Sequence, residues 1–429
     1  MMLRDPQFCN TGVADYMVGE MSDNGMQLLY AGFDGLDVTF KGRIPQSAID
    51  VLERGKEGAI EFKQPQLVEI NKKAFCGYVG PAGLRDGGYS FIVDTGELGF
   101  KWFFSKSQRL ENWGIRVSCR SATLAAYGFE ETVNRMYAEL DAIGATVLEE
   151  AIGRVDFAVD WRMPHDFRLD PSCFAMHGTS KSSTHNETMG EAWRARRCTG
   201  ITIGKMPGRQ ICIYDKRAEI VEKRKPHWWK IWGIDRDELD AAGEQIWRVE
   251  IRAGKDHLRN AFGIKTWADL RAKLGDVYKT ALLRIRYKER RWEDHENTTR
   301  VPDSPLWDGV REKVAGDLFD WSSGAKPGVI KQVMIEQQKQ TISAQIIGLS
   351  ANLAVLTGMD PERLTGLPGK VAEMIAKHVE GVDVKEFRRK MHKVHRKYEF
   401  IDIDGVILDE KTIGQIGCGD RGRTESAFV

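Results

Sequence analysis

The 429-residue chain predicts an α+β fold, with an antiparallel-sheet domain and flanking helices over residues 30–304 and a mostly α-helical C-terminal domain over 305–400. Three observations predict it. Segments of period-two apolar alternation recur between residues 30 and 300, separated by glycine turns. Two stretches among them carry a helix period instead, so strands and helices interleave. Beyond Pro305 the strand signal stops, and Ile342, Ile346, Leu349, Leu353 and Leu356 step by 4, 3, 4 and 3 residues, the amphipathic helix spacing.

Taken in chain order, residues 1–29 are polar and aperiodic, which predicts a flexible arm. Leu36, Val38 and Phe40 alternate with Asp37 and Thr39 as a strand. Residues 45–58 follow as a helix with Pro45 near its start. The stretch 74–105 reads as strands broken by glycine turns, and WGIRVSCRSATLAAYG (113–128) as a strand running toward a turn. GFEETVNRMYAELDAIGA (128–145) is a helix ended by Gly144. GRVDFAVDW (153–161) is a strand. Residues 162–198, rich in Ser, Thr, Gly and Asn at their centre, predict a loop insertion. Strands return at 199–205, 209–216 and 244–254. Residues 401–429 read as a glycine-containing tail.

Bulk properties exclude little. Lys and Arg number 63 against 62 Asp and Glu, so the net charge of +1 points globally to neither nucleic acid nor membrane. Seven cysteines without a CxxC pair suit a reducing compartment better than a disulfide framework. No apolar run reaches the roughly 18 residues of a membrane span. The expectation is a soluble, cytoplasmic protein with no membrane partner.

Three strands concentrate charge on one face. In GRVDFAVDW, Val155, Phe157, Val159 and Trp161 share one side, and Arg154, Asp156, Ala158 and Asp160 the other. WRVEIR sets Arg248, Glu250 and Arg252 opposite Trp247, Val249 and Ile251. RQICIYDK sets Cys212, Tyr214 and Lys216 opposite Ile211 and Ile213. As neighbours, the three polar faces would form one patch. Carboxylates hold hard divalent ions, arginines grip phosphate in pairs of hydrogen bonds, and a tyrosine can act as a covalent nucleophile. The phenol needs a nearby cation at neutral pH, and Lys216 is spaced to supply one. The alternative is a solvated sheet with its charges paired across strands. On residue pattern alone both readings stand.

Further cationic segments carry aromatic residues: KRKPHWWKIWG (223–233) with Trp228, Trp229 and Trp232, and LRIRYKERRW (283–292) with Tyr287 and Trp292. A basic helix at 384–399 holds Arg388, Arg389 and Lys390. Such segments suit phosphate and exposed bases, although basic helices are also ordinary solvated faces and the tryptophans equally suit a core. His165, His177 and His185 near the insertion make a weak case for a metal site.

The ordered set GLDVTF, RVDFAVD, TGITIGK…GRQICIYDKRAE and WRVEIR resembles the replication initiation factor family, the Rep_trans type of rolling-circle initiators and relaxases, over roughly residues 30–300. That family shows R-x-D-x-x-x-D, Y-D/E-K and R-x-E strands in this order. The resemblance implies a metal-dependent DNA strand transferase of a bacterial cell. Its tyrosine becomes joined to a 5′ phosphate at an origin, frees a 3′ hydroxyl and later rejoins the strand. It carries the nucleophile to Tyr214, with Lys216 beside it. Metal or supporting roles for Mg²⁺ or Mn²⁺ fall to Asp156, Asp160 and Glu250. Phosphate contacts fall to Arg154, Lys216, Arg248 and Arg252, with Arg388, Arg389 and Lys390 on the basic helix as further phosphate ligands. The chain lacks the His-hydrophobic-His pair of the other major class of rolling-circle nucleases, so any metal would rest on carboxylates. Tyr278 and Tyr287 are the next candidate nucleophiles. The expected partners are origin DNA, single-stranded at the nick, a host helicase and a second copy in a homodimer. The alternatives are a nuclease that uses water and a non-enzymatic DNA-binding regulator on the same fold.

Overall fold

The computed structural model describes residues 25–83, 88–176, 189–293, 297–316, 318–319, 327–356, 358 and 367–380. Period-two segments became strands wherever one face could be buried. They are β1 (Gln27–Arg43), β2 (Gln66–Ile70), β3 (Phe75–Val79), β4 (Phe91–Asp94), β5 (Phe100–Phe104), β6 (Ile115–Cys119), β7 (Thr146–Met163), β8 (Phe174–Met176), β9 (Met189–Arg194), β10 (Arg197–Gly204), β11 (Arg209–Asp215), β12 (Gln245–Gly254) and β13 (Ile285–Tyr287). The helices are α1 (Gln46–Glu61), α2 (Ser121–Ile143), α3 (Lys216–Glu222), α4 (His227–Trp232), α5 (Arg236–Ala242), α6 (Lys255–Phe262), α7 (Trp267–Arg284), α8 (Pro305–Ala315), α9 (Pro327–Leu356) and α10 (Leu367–Glu380).

Eleven strands form one antiparallel sheet in the order β2-β3-β4-β5-β6-β1-β7-β12-β11-β10-β9, and β8 pairs with β13 separately. The long strands β1 and β7 lie side by side at its centre. Their pairing slips at several points, one of them between Phe33 and Gly35, and such bulges add local twist to the pair.

One face of the sheet is apolar. Leu36, Val38, Phe40, Trp102, Val117, Val155, Phe157, Val249 and Ile213 are all buried on it. Helices α1 and α2 cover it in the first half, and α6, α7 and α8 in the second. Helix α2 runs through a break at Gly128 and ends at Gly144, whose φ of 81° is the left-handed cap expected of it. Helix α7 starts with a capping box between Thr266 and Asp269. Helix α8 buries Leu306, Trp307 and Val310, and Gly309 leaves room for the Trp161 ring, to which an added Cβ would approach within 2.6 Å.

Several boundaries differ from the sequence reading. Residues 27–29 are strand rather than arm. The insertion contributes β8 and β9, because short strand pairs satisfy its backbone. The chain divides into two units between Ile330 and Lys331, so α8 belongs with the sheet rather than with the helical region. In the second unit α9 continues to Leu356 as the predicted helix, but its apolar residues do not form one covered stripe: Ile346, Ile347, Leu349, Val355 and Leu356 are all exposed. The basic helix at 384–399, with Arg388, Arg389 and Lys390, lies outside the described residues. Among the described residues no helix is long and apolar enough to cross a membrane, and Cys76, Cys119, Cys173, Cys198 and Cys212 form no disulfide.

Glu139 projects from α2 toward β5, where Trp102 Nε1 donates to its carboxylate at 2.6 Å and Thr95 Oγ1 at 3.2 Å. Burial, only partly offset by these bonds, pushes its carboxyl up to about 7. The folded state therefore holds this proton at pH values where the unfolded chain has lost it. Its stabilising contribution is complete below about pH 4 and is lost as pH rises through about 7. Glu139→Gln is expected to flatten the decline in urea-unfolding free energy across that window, by on the order of 2 kcal/mol. An unchanged pH slope would contradict this assignment.

Candidate functional site

The sheet brings the three charged strands together in the order β7-β12-β11. Asp160 stands opposite Arg248, and Arg248 opposite Tyr214. Asp156 stands opposite Arg252, while Glu250 faces Ala158 on one side and Cys212 on the other. Strict alternation puts all of these side chains on the face away from the apolar core. The expected patch therefore forms, but it is not a solvated face. Asp156, Asp160, Arg248 and Glu250 are all buried, because α3 and α4 lie over this part of the sheet.

Arg248 is the centre of the patch and is completely buried. Its Nε and Nη2 donate to the two oxygens of Asp160 at 2.5 and 2.7 Å, and its Nη1 to Asp34. Trp232 Nε1 gives Asp160 a third bond at 2.8 Å. The guanidinium also lies 4.4 Å from the Trp228 ring centroid and 5.5 Å from that of Tyr30. Two expectations change here. Arg248 cannot reach a phosphate, since its donors are held by two carboxylates inside the protein. Asp160 has both oxygens engaged and serves as the partner of Arg248. Trp228 and Trp232 are core rings over this pair rather than stacking platforms for bases.

Asp34 was not singled out from the sequence. It sits where β1 slips register beside β7, in the Asp-Gly step of GFDGLD. A turn-forming dipeptide inside a strand is the signal that marks such a bulge. Burial opposes its charge, but Arg248 and Lys216 hold its carboxyl below the ordinary range.

Tyr214 stands at the cleft edge of the patch, with the buried Glu250 beside it. The Tyr214 hydroxyl donates to Glu250 Oε2 at 3.2 Å. Arg252 holds the same carboxylate through Nε at 2.7 Å and Nη2 at 2.8 Å. Asp156 is held by Arg154, with Nε at 2.9 Å and Nη2 at 2.6 Å. Gly35 makes this possible, because a Cβ there would lie 2.7 Å from Asp156 Oδ2. Burial, with Glu250 nearby, pushes the Asp156 carboxyl up to about 7 despite Arg154. Burial also raises the Tyr214 phenol well above its ordinary value, against the pull of Arg248. A cleft of about 420 Å³ opens on this edge, lined by Gly200, Thr202, Cys212, Tyr214, Glu219 and Arg252. Arg252 and Arg154 both keep part of their side chains exposed.

Lys216 is placed differently from the expectation. It is the first residue of α3, not a continuation of β11, so its side chain is freed from strand alternation. Its Nζ bonds Glu219 at 2.6 Å and lies over the rings of Tyr214 (5.6 Å) and Trp228 (4.8 Å). Its approach to Tyr214 is to the ring, and the cation that pulls the phenol's pKa down is Arg248. Burial, with Arg248 close by, lowers its own.

The alternative tyrosines are excluded by position. Tyr278 is fully buried in α7 on the apolar face, 5.8 Å from the Phe157 ring. Tyr287 is buried in β13, where its hydroxyl accepts from the Asp170 N–H at 3.1 Å. In the same segment Arg286 and Lys288 are engaged by Asp303. Among the described residues no group of three or more His, Cys, Asp or Glu side chains is placed to hold a metal ion. Asp156 and Glu250, the two carboxylates of the patch on the Arg252 side, are each already bonded to an arginine. As arranged, the donor set does not fit a divalent ion.

Removing Arg248 would leave Asp34 and Asp160 buried without their cation. Arg248→Met is expected to cost about 3–5 kcal/mol in urea unfolding, and Arg248→Lys to recover only part of it, since an ammonium cannot bond both Asp160 oxygens in parallel. A wild-type midpoint for Arg248→Met would show that the buried network is not a stabilising centre.

No protein-family model matches the chain, and no curated protein matches it. Among solved structures, the chain is similar to a rolling circle replication initiator protein from Geobacillus stearothermophilus, with 16% identity over 70% of this chain and 100% of that one, at a TM-score of 0.35.

Proposed function

We propose that the protein is a DNA nicking-and-joining enzyme that starts rolling-circle replication, with Tyr214 as its nucleophile. The observation that carries this reading is the Tyr214–Glu250 hydrogen bond at the mouth of a solvent-open cleft, with Arg252 beside it. The Y-D-K, R-x-D and R-x-E motifs support it independently.

The chemistry follows from the high pKa of the phenol. Tyr214 holds its proton at neutral pH, so the attack needs a proton acceptor in contact with the hydroxyl. Glu250 is that acceptor. The Tyr214 oxygen bonds to the phosphorus, its proton passes to Glu250, and the bond from phosphorus to the 3′ oxygen breaks. The departing 3′ oxygen takes a proton from solvent, leaving a 5′-phosphotyrosine link and a free 3′ hydroxyl. Arg252 and Arg154 offset the charge that builds on the phosphate oxygens. Rejoining reverses the same bonds. Mg²⁺ or Mn²⁺ stays an expectation of the family resemblance: an ion would have to draw Asp156 and Glu250 away from Arg154 and Arg252, and no step here runs through it.

The test is incubation with supercoiled DNA carrying the neighbouring genomic region, with and without Mn²⁺, followed by mapping of any DNA-linked peptide. Tyr214→Phe is expected to abolish the adduct while DNA binding persists, and Glu250→Gln to slow its formation about 100-fold. An adduct formed by Tyr214→Phe would assign the nucleophile elsewhere. Nicking with no attached protein would favour water as the nucleophile, and salt-sensitive binding without nicking would favour a regulator.

A further inference from the structure

The sheet is two halves that meet at the β1–β7 pair, and the halves correspond. Strand β6 lies between β5 and β1 as β12 lies between β11 and β7. The sequences of the two flanked strands match as well: IRVSCR (115–120) and WRVEIR (247–252) share Arg-Val and a final Arg at the same spacing. The registers then align residue by residue. Arg116 takes the place of Arg248, and the residue opposite it on β5 is Phe103, where Tyr214 stands opposite Arg248 on β11. Ser118 takes the place of Glu250, with Lys101 opposite it in the place of Cys212.

The first half thus carries an image of the candidate site with both reactive groups replaced. Phe103 has no hydroxyl to attack and Ser118 is no carboxylate base. What remains is binding chemistry on a more open surface. Arg116 bonds Asp37 at 2.8 Å yet keeps 40% of its side chain exposed, and lies 5.0 Å from the Phe103 ring. Lys101 Nζ is 5.9 Å from the same ring, and the Tyr89 ring lies tilted beside it at 6.0 Å. Lys101 is exposed. Arg154 on β7 stands opposite Asp37 and also holds Asp156, so it joins this surface to the Tyr214 cleft.

We propose that this open face, centred on Lys101, Phe103 and Arg116, is a second, non-catalytic site that binds unpaired DNA. It deepens the reading above by naming where the strand runs beyond the cleft. Phosphates lie along Arg154, Arg116 and Lys101, and a base stacks on Phe103, a combination of cation and aromatic that holds single strands without regard to sequence. Strands β5 and β11 are five ladder spacings apart, roughly 24 Å, so only a strand of several nucleotides engages both places.

Fluorescence anisotropy on the full chain, with single-stranded oligonucleotides of about 4 and about 20 nucleotides, tests this. The readout is the ratio of long to short affinity. Lys101→Glu and Phe103→Ser are each expected to lower that ratio about tenfold, and Lys101→Glu to make the salt dependence for the long oligonucleotide shallower by about 0.7. Lys101 is solvent-exposed, so its variant reads binding even if Phe103→Ser misfolds. A wild-type ratio in Lys101→Glu overturns the proposal. The two readings fail separately: a chain that shows the ratio change but never forms a covalent adduct overturns the Tyr214 reading, and a chain that forms the adduct with an unchanged ratio overturns this one.

Discussion

The buried guanidinium of Arg248 is the constraint on which the candidate site depends. A fully buried cation is costly unless its charge and its donors are met. Here Asp160 supplies a parallel pair of bonds from β7, and Asp34 a further one from the bulge in β1. Three strands are thereby tied in register by a single side chain. The Trp228 and Trp232 rings close over it from α4, and that cover is what removes Asp160 from solvent. Shift any of these strands by one residue and the carboxylates turn to the apolar side. The position of Tyr214, opposite Arg248 on β11, follows from the same register.

With the centre of the patch closed, the chemistry is confined to its edge. Tyr214 and Arg252 line the cleft, Glu250 is bonded to both just beneath them, and Asp160 and Arg248 stay behind as framework. The division leaves the phenol of Tyr214, its pKa raised by burial, in contact with a proton acceptor. Its proton is shared with a carboxylate, and that carboxylate is oriented by Arg252 from two residues along the same strand. Lys216 serves a different purpose from a charge at the phenol oxygen. As first residue of α3, it bonds Glu219 within the helix and lies over the rings of Tyr214 on β11 and Trp228 on α4.

The two halves of the sheet show how covering elements decide what an equivalent surface does. Arg116 and Arg248 hold equivalent places in the registers, yet one is partly open and the other sealed. The difference lies in what lies above each. Helices α3 and α4, inserted between β11 and β12, cover the second half, whereas β5 and β6 are joined by the short connection 105–114. A covered arginine becomes structure, and an open one stays available to an anion.

By itself the sequence determined most strands of the large sheet and which side chains share their polar faces, because alternation along a strand is a local property; the pairing that brings Tyr214 to Glu250 came from the tertiary structure. The sequence also determined the helix over 128–145 and its stop at Gly144, since a left-handed cap is a property of one residue. Burial could not be read in this way. Whether Arg248 meets a phosphate or a carboxylate depends on α4 crossing over β12, and on Asp34, more than two hundred residues away in the chain, reaching it through a bulge. Only the tertiary structure decided that, because the desolvation that turns a charged residue from a ligand into a keystone is imposed by neighbours that the local pattern does not contain.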